Sequence, residues 1–447
     1  MKSRLLSIAV ALIVAPTIAL FAQRPIQIVL GSILPANSVW DKALKQMAAE
    51  WAEETDGRVT LRVRPGSVKN EGELLRLLRR ANRPHAGVFG SPGEIDDAFN
   101  VLNIPFFYQS DDEVFHVIET LTPTFERVLA DRGLVLLNWG HTGWAHLFSE
   151  KRVETIEDLK RTKLYTSAGD EKMLRWYKEN GFDPKPLAAT DVLLGLTTGL
   201  VDAHFSPPFV ALLFQWYSKT PFMLDVPLAP VIGVTVIKER IWNRISAEDQ
   251  RILRASAKRL ETRLMKDAPD LEIGSIDTMR ERELTVVGLD DAATALLRET
   301  ADKLTASWRG TMIPADVYDQ ALRARNTFRV DHVALFLTPE RIEAAGDTVQ
   351  VVALVKDARG NPLSGVEVTF RHYVDDRPTG ARTVISTDWA GEARMALVTG
   401  DERDDRHVTA TAGQRRREGT VAIARGDGEG AVPTSARRTR VEAPWLR

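Results

Sequence analysis

Between Ile26 and about Thr327 the apolar positions alternate between short continuous runs and stretches at helical spacing. The run IQIVLG, Ile26 to Gly31, predicts a buried strand. In the loop SILPANSVW that follows, Asn37 or Ser38 is placed to cap a helix. Trp40, Leu44, Met47 and Trp51 then recur at steps of four, three and four, an amphipathic helix ended by Asp56-Gly57. Val59, Leu61 and Val63 alternate as a strand, Glu71 to Arg80 reads as a helix, and HAGVFG is a second buried strand opening onto Ser91-Pro92-Gly93. In VLNIPFFYQSDDEV the residues Ile104, Phe106 and Phe107 are core positions, and Ser110 or Asp111 starts a helix. LVLLNW, Leu134 to Trp139, is a further strand, and the glycines of GHTGWAHLFS mark a crossing into a second lobe.

From Lys163 to Pro208 strand, helix, strand and helix signals follow one another. Lys163 to Thr166 is a strand, and Glu171 to Asn180 a helix stopped by Gly181. Val192 to Thr198 is a helix stopped by Gly199, Leu200 to His204 re-enters the sheet, and Phe209 to Tyr217 is an aromatic helix. Prolines and a glycine break MLDVPLAPVIGVTVI, which reads as the return crossing. A long helical signal from Ser246, broken near Asp267-Ala268-Pro269, reaches about Glu283. Two more helices, Asp291 to Trp308 and Pro314 to Thr327, brace the lobes from behind.

Strand and helix alternation predicts an α/β fold with a parallel sheet covered on both faces. Lobe 1 is expected over about 24–142 plus 224–265, and lobe 2 over about 143–223 plus the later helices. Ligands bind such sheets beyond the carboxyl ends of the strands, which selects Trp40, Phe89 and Ser91 on lobe 1 and Asp170, His204 and Ser206 on lobe 2. Trp144, beside glycines at a strand end, suits a stacked ligand and a buried core equally. His204, next to Asp202, serves either a ligand or its own turn. His146 has no partner at metal-ligand spacing and is read as a structural hydrogen-bonder.

After Arg329 only short strand signals remain: HVALFL, TVQVVALVKD, VEVTFRHYV, ARTVIST, EARMALVT, RHVTATA and GTVAIA. Their spacing predicts an all-β sandwich over 330–424, followed by a disordered Gly-, Arg- and Pro-rich tail over 425–447.

Charge and composition narrow the function. The 59 basic and 61 acidic residues nearly cancel, which leaves no electrostatic footprint for nucleic acid. Lys2 and Arg4 precede an apolar run from Leu5 to Ala22, the layout of a signal peptide over 1–22, with an uncleaved anchor as the alternative. The absence of Cys excludes disulfides and a lipid-modified N-terminal Cys, so a free periplasmic protein is expected, not a lipoprotein. There is no Gly-x-Ser-x-Gly elbow, His-Glu-x-x-His site or phosphate-binding Gly-rich loop, so neither an enzyme nor a cofactor or metal is expected.

The segments ILPANSVWDKALKQMAAEWAEETDGRVTLRV, LNIPFFYQSDDEV, GLVLLNWGHTGWAHLFS, IEDLKRTKL and GFDPKPLAATDVLLGLTTGLVDA resemble, in that order, the dicarboxylate-binding (DctP-type) solute-binding proteins of tripartite ATP-independent periplasmic (TRAP) transporters. The resemblance implies a two-lobed, type II-like periplasmic binding fold over 23–329 that closes on a small, organic-acid-like solute and delivers it to ion-driven membrane subunits. Many members carry an arginine that pairs with a substrate carboxylate on the strand after the Asp-Leu motif, and here that position is Tyr165. A phenol offers one donor and an aromatic face where arginine offers a bidentate fork. Lys163 shares a strand face with Tyr165 and is a second candidate for supplying charge. Packing between the lobes is the alternative role for Tyr165. DARGNPLSGVEVTF and TDWAGEARMAL resemble bacterial immunoglobulin-like domains of the invasin and intimin type, which implies a spacer or an adhesive unit with a cell-envelope partner.

Overall fold

The computed structural model describes residues 25–423 except 81, 340, 343–345, 375–376 and 399–405. The expected leader and tail lie outside the described residues. Two compact units divide the chain, one formed by 25–103 with 126–304 and the other by 104–125 with 305 onward. No described helix is long and apolar enough to cross a membrane.

The first unit is built on a ten-stranded sheet. Its strands are β1 (Ile26–Gly31), β2 (Val59–Arg64), β3 (Ala86–Phe89), β4 (Leu134–Ser149), β5 (Lys163–Ser167), β6 (Asp183–Leu187), β7 (Ala203–Ser206), β8 (Phe222–Leu224), β9 (Ala229–Lys238) and β10 (Thr285–Val287). Their order is β2-β1-β3-β9-β4-β7-β5-β6, with β8 pairing both β4 and β10. Within each lobe the βα alternation yields parallel pairs, β1 with β2 and β3, and β5 with β6 and β7. The sheet as a whole is mixed, because β9 runs antiparallel to β3 and β4. From Leu134 to Ala145 β4 pairs with β9, and its last four residues pair with β7 in lobe 2. Between His141 and Trp144 the register shifts. Gly143 sits there at φ +100°, a backbone that a side chain would strain, so the strand can bulge and turn from one lobe to the other.

The helices of this unit bury their stripes against the strands. Ser38 accepts a hydrogen bond from Asp41 N–H and caps α1 (Val39–Glu54), whose Trp40, Leu44, Met47 and Trp51 enter one core with Ile28, Leu30, Val59 and Ala86. A short α2 (Glu71–Leu78) follows β2, and α3 (Asp111–Ala130) is shared by the two units along its length. Lobe 2 holds α4 (Ile156–Lys160), α5 (Glu171–Glu179), α6 (Val192–Thr197) and α7 (Pro208–Leu213). The aromatic helix expected to reach Tyr217 stops at Leu213. Gln215 takes φ +58°, which ends the helix, and a separate 3-10 turn buries both Trp216 and Tyr217.

After α8 (Glu239–Trp242), α9 (Ala247–Arg280) runs for 34 residues straight through Pro269. The expected break is absent. A proline inside a helix costs about 3 kcal/mol through its lost N–H bond and ring clash. Burial of Leu253, Ala257, Leu260 and Leu264 before it and of Ala268, Ser275 and Met279 around it holds the helix continuous. The last helix of the unit is α10 (Asp291–Thr305).

The second unit contains α11 (Ala315–Arg329) and two antiparallel β-layers. One is β11 (His332–Thr338), β13 (Thr348–Lys356) and β16 (Glu392–Val398). The other is β12 (Arg341–Ile342), β14 (Glu367–Val374), β15 (Arg377–Ser386), β17 (Arg406–Ala412) and β18 (Arg415–Ile423), with β12 joined parallel to β18. Alternate residues Val349, Val351, Ala353 and Val355 of the first layer share a core with Val368, Phe370, Val408 and Ala410 of the second. Thr387 ties the DARGNPLSG and TDWAG segments together. Its hydroxyl donates to Leu363 O at 2.6 Å and accepts from Val366 N at 3.0 Å.

The division expected at 329 falls inside this unit. Arg329 pairs with the buried Glu113 and donates to Phe107 O at 3.0 Å. Arg325 lies 4.1 Å over the Phe107 ring, and Asn326 donates to Ser364 O at 2.7 Å. These charge-assisted and ring contacts tie the IPFFYQSDDEV segment and α11 into one body with the strands.

Candidate functional site

Two loops of lobe 1 and one strand end of lobe 2 meet across the first unit. Glu71, the first residue of α2, turns its carboxylate to the chain after β3. It accepts Gly90 N–H and, at 3.0 Å, Ser91 N–H. The side chain is only 8% exposed, and burial pushes its pKa up to about 7 despite those two donors. Glu94, three residues past Ser91, lies beside it. Its carboxylate is 3.6 Å from where a Cβ on Gly72 would stand and 3.4 Å from the same point on Gly169 of lobe 2. Burial and then the neighbouring Asp170 raise the pKa of Glu94.

From lobe 2, β5 sends Tyr165 and Ser167 to the same face, as the strand period of two requires. Ser167 Oγ is 3.4 Å from Glu94 Oε1, a hydrogen bond across the lobes. Tyr165 packs edge-on against Trp216 at 5.6 Å. Burial, then Glu71 and Glu94, raise the Tyr165 pKa. Its hydroxyl has no hydrogen-bond partner among the described residues. Asp170 caps α5 by accepting Met173 N–H at 2.9 Å, and burial raises its pKa as well. Lys172, on the first turn of α5, pairs with Asp97 of lobe 1. The arrangement is a cleft closed over carboxylates, hydroxyls and one aromatic face.

The structure therefore brings together Ser91, Tyr165 and Asp170 of the residues selected from sequence, and it adds Glu71, Glu94 and Ser167. Other candidates lie elsewhere. Lys163 does not supply charge beside Tyr165, because its ammonium donates to Gly199 O at 2.8 Å, at the opening of β5. Trp40 belongs to the lobe 1 core, where the edge of its ring fills the space a Cβ on Gly140 would take, 2.0 Å from Cη2. Phe89 is fully buried on β3.

His204 is fully buried and stacked on Phe148 at 5.1 Å, with Thr220 Oγ1 at 3.2 Å and Ser206 Oγ at 3.1 Å on its two ring nitrogens. Burial holds its pKa down at about 3, so it is a neutral core imidazole. Ser206 is buried with it. Trp144 stands at the crossing, where its backbone N–H donates to Glu272 of α9 at 2.9 Å. The same carboxylate faces His146 Nε2 at 3.3 Å, and Leu224 O lies 3.0 Å from Nδ1, which gives His146 its hydrogen-bonding role. Among the described residues no cluster of three His, Asp or Glu is arranged to hold a metal ion.

Residues 30–311 match the family of bacterial extracellular solute-binding proteins, family 7, the DctP family. The chain belongs to that family. A solute-binding protein of Chromohalobacter salexigens is 26% identical over 237 residues, covering 51% of this chain and 68% of the relative. The ectoine/5-hydroxyectoine-binding periplasmic protein of Ruegeria pomeroyi is 23% identical, covering 49% of this chain and 66% of the relative. Among solved structures, an extracytoplasmic solute receptor of Bordetella pertussis binding pyroglutamic acid superposes with a TM-score of 0.61 at 19% identity, over 67% of this chain and 99% of that one. That likeness shows the two-lobed fold.

Proposed function

We propose that the protein is an extracytoplasmic receptor that binds a small, organic-acid-like solute between its two lobes and delivers it to the membrane subunits of a TRAP-type ion-driven transporter. The observation that carries this reading is the cleft itself, where Glu94 and Asp97 of lobe 1 meet Ser167 and Lys172 of lobe 2 around two crossing strands. Polar contacts of this kind across a hinge are made on closing and broken on opening, so a solute that prefers the closed form drives closure. Solute class is supported by the names of relatives, which bind ectoine and 2,3-diketo-L-gulonate, and of structural neighbours, which hold pyroglutamate and galacturonate. Export to the periplasm is supported by the basic and apolar start of the sequence and by periplasmic relatives. In this reading Tyr165, Ser91 and Asp170 line the solute and Trp144 sits at the hinge.

A thermal-shift screen of residues 23–447 against carboxylates, sugars and amino acids, repeated with Tyr165→Ala, tests it. The active solute should stabilise the parent and lose most of that effect in the variant. Small-angle scattering that is identical with and without that solute would sink the closure mechanism.

A second reading assigns partner binding to the β-unit, as an immunoglobulin-like adhesive or assembly module. One observation favours it: Trp389, at the turn between β15 and β16, is 87% exposed. Exposed Trp at a rigid turn is a frequent interface anchor. Trp389→Ala should then abolish binding of the protein to isolated cell envelopes, and unchanged sedimentation with them would remove this reading.

A further inference from the structure

The position where the family resemblance implies an arginine is ringed by groups of the opposite preference. Glu94 of lobe 1 bonds to Ser167, which shares a strand face with Tyr165 on β5, and the charges felt by Tyr165 are Glu71 and Glu94, with Glu94 acting on Glu71 and Asp170 on Glu94. The two lysines of lobe 2 on β5 and the first turn of α5 are engaged elsewhere, Lys163 by the Gly199 carbonyl and Lys172 by Asp97. Glu71 has two backbone donors, whereas the partner of Glu94 is the Ser167 hydroxyl at 3.4 Å, a long neutral bond. Closing a low-dielectric cleft over a carboxylate with no cation is unfavourable. Across from it Tyr165 presents a ring braced by Trp216 and an unpartnered hydroxyl. Carboxylates opposite an aromatic face form the setting in which cationic nitrogen is recognised.

Resting on the receptor reading above, we propose that the solute carries a positively charged nitrogen, an ammonium or amidinium, seated between Glu71 and Glu94 on lobe 1 and the Tyr165 ring on lobe 2. The organic-acid class narrows to zwitterions. An acid lacking that nitrogen brings its negative charge against two carboxylates and is rejected for the same reason that closure without a ligand is disfavoured. Glu94 is the residue that determines specificity, because its charge is held by the weakest protein contact.

Titration calorimetry on residues 23–447 tests this, with ectoine, 4-aminobutyrate and glycine betaine as zwitterions and galacturonate and pyroglutamate as acids without a cationic nitrogen. At least one zwitterion should bind while both acids fail. Glu94→Gln should weaken that zwitterion about tenfold or more, the scale of one charge-assisted bond, and Glu94→Asp should recover part of it. Circular dichroism on both variants checks folding, and Glu94 is preferred to Glu71 because it does not anchor the chain after β3. If either acid binds more tightly than every zwitterion, or if Glu94→Gln leaves zwitterion affinity within about twofold, the inference is overturned and the receptor reading stands. Silence of the folded protein towards all five compounds overturns both.

Discussion

The core of the β-unit and the interlobe cleft are both withdrawn from water, yet they are filled by opposite kinds of side chain. Val349, Val351, Ala353 and Val355 point inward at every second position and meet Phe370 and Val408, and among the described residues the buried polar side chains of these strands and their turns are Thr387 and Thr409, neither titratable. The cleft instead shelters Glu71, Glu94 and Asp170, whose charged forms are disfavoured by their burial. Burial of apolar surface stabilises the fold, and burial of carboxylates works against it. The first region is thus organised for stability, whereas the second holds buried carboxyl groups at a cost.

The largest expected effect lies in the apolar core. Phe370→Ala should cost about 3 to 5 kcal/mol in urea unfolding of the β-unit, as for other fully buried aromatics. A loss below about 1 kcal/mol would mean that this core is not the packed region described and would erase the contrast.

Glu71 sharpens the other side. Its pKa is raised from 4.5 to about 7 in the fold, so the protonated form is the one the fold favours. That contribution is complete below pH 4.5 and disappears as pH rises through about 7. The change corresponds to about 3 kcal/mol across that window. Thermal unfolding followed from pH 4.5 to 8 should show the decline in the ligand-free protein and a flatter profile in Glu71→Gln. Equal slopes would show that Glu71 titrates normally.

At the crossing, Glu272→Ala removes the acceptor for Trp144 N–H and the partner of His146. A loss of about 1 to 3 kcal/mol is expected, with faster amide exchange at Trp144 as its local signature. Unchanged exchange would mean that the strand bulge holds itself. The smallest effect belongs to Asp97→Asn. Its pair with Lys172 is half-exposed, so its removal should shift stability by under about 1 kcal/mol. In scattering, it should move the ligand-free protein towards an opened shape, and added salt should mimic it in the parent.

Much of the architecture was legible from the apolar pattern. The α1 stripe, the βα alternation of both lobes and the change to short strands after Arg329 all follow from local periods of 3.6 and 2. The α9 helix was misread at Pro269 because proline's cost is local whereas the compensating burial of its face is tertiary. The division at 329 shifted for a related reason. Composition changes there, but Arg325, Asn326 and Arg329 bond to Phe107, Ser364 and Glu113, residues 38 to 222 positions away along the chain.

The candidate site was legible only by halves. Tyr165 stood out through the family resemblance and Asp170 through its place on a strand-end loop, whereas Glu71 looked like any acid at a helix start. Glu94 closes the strand-end loop that begins at Phe89, and its place there was the available clue.

Periodicity and capping residues were written in the order of residues, because each depends on neighbours within a few positions. Which candidates face the cleft, which carboxylates meet there and where the cations are engaged was decided only by tertiary structure. Burial and charge coupling act through space, between groups such as Glu94 and Ser167 that are 73 residues apart in the chain and 3.4 Å apart in the fold.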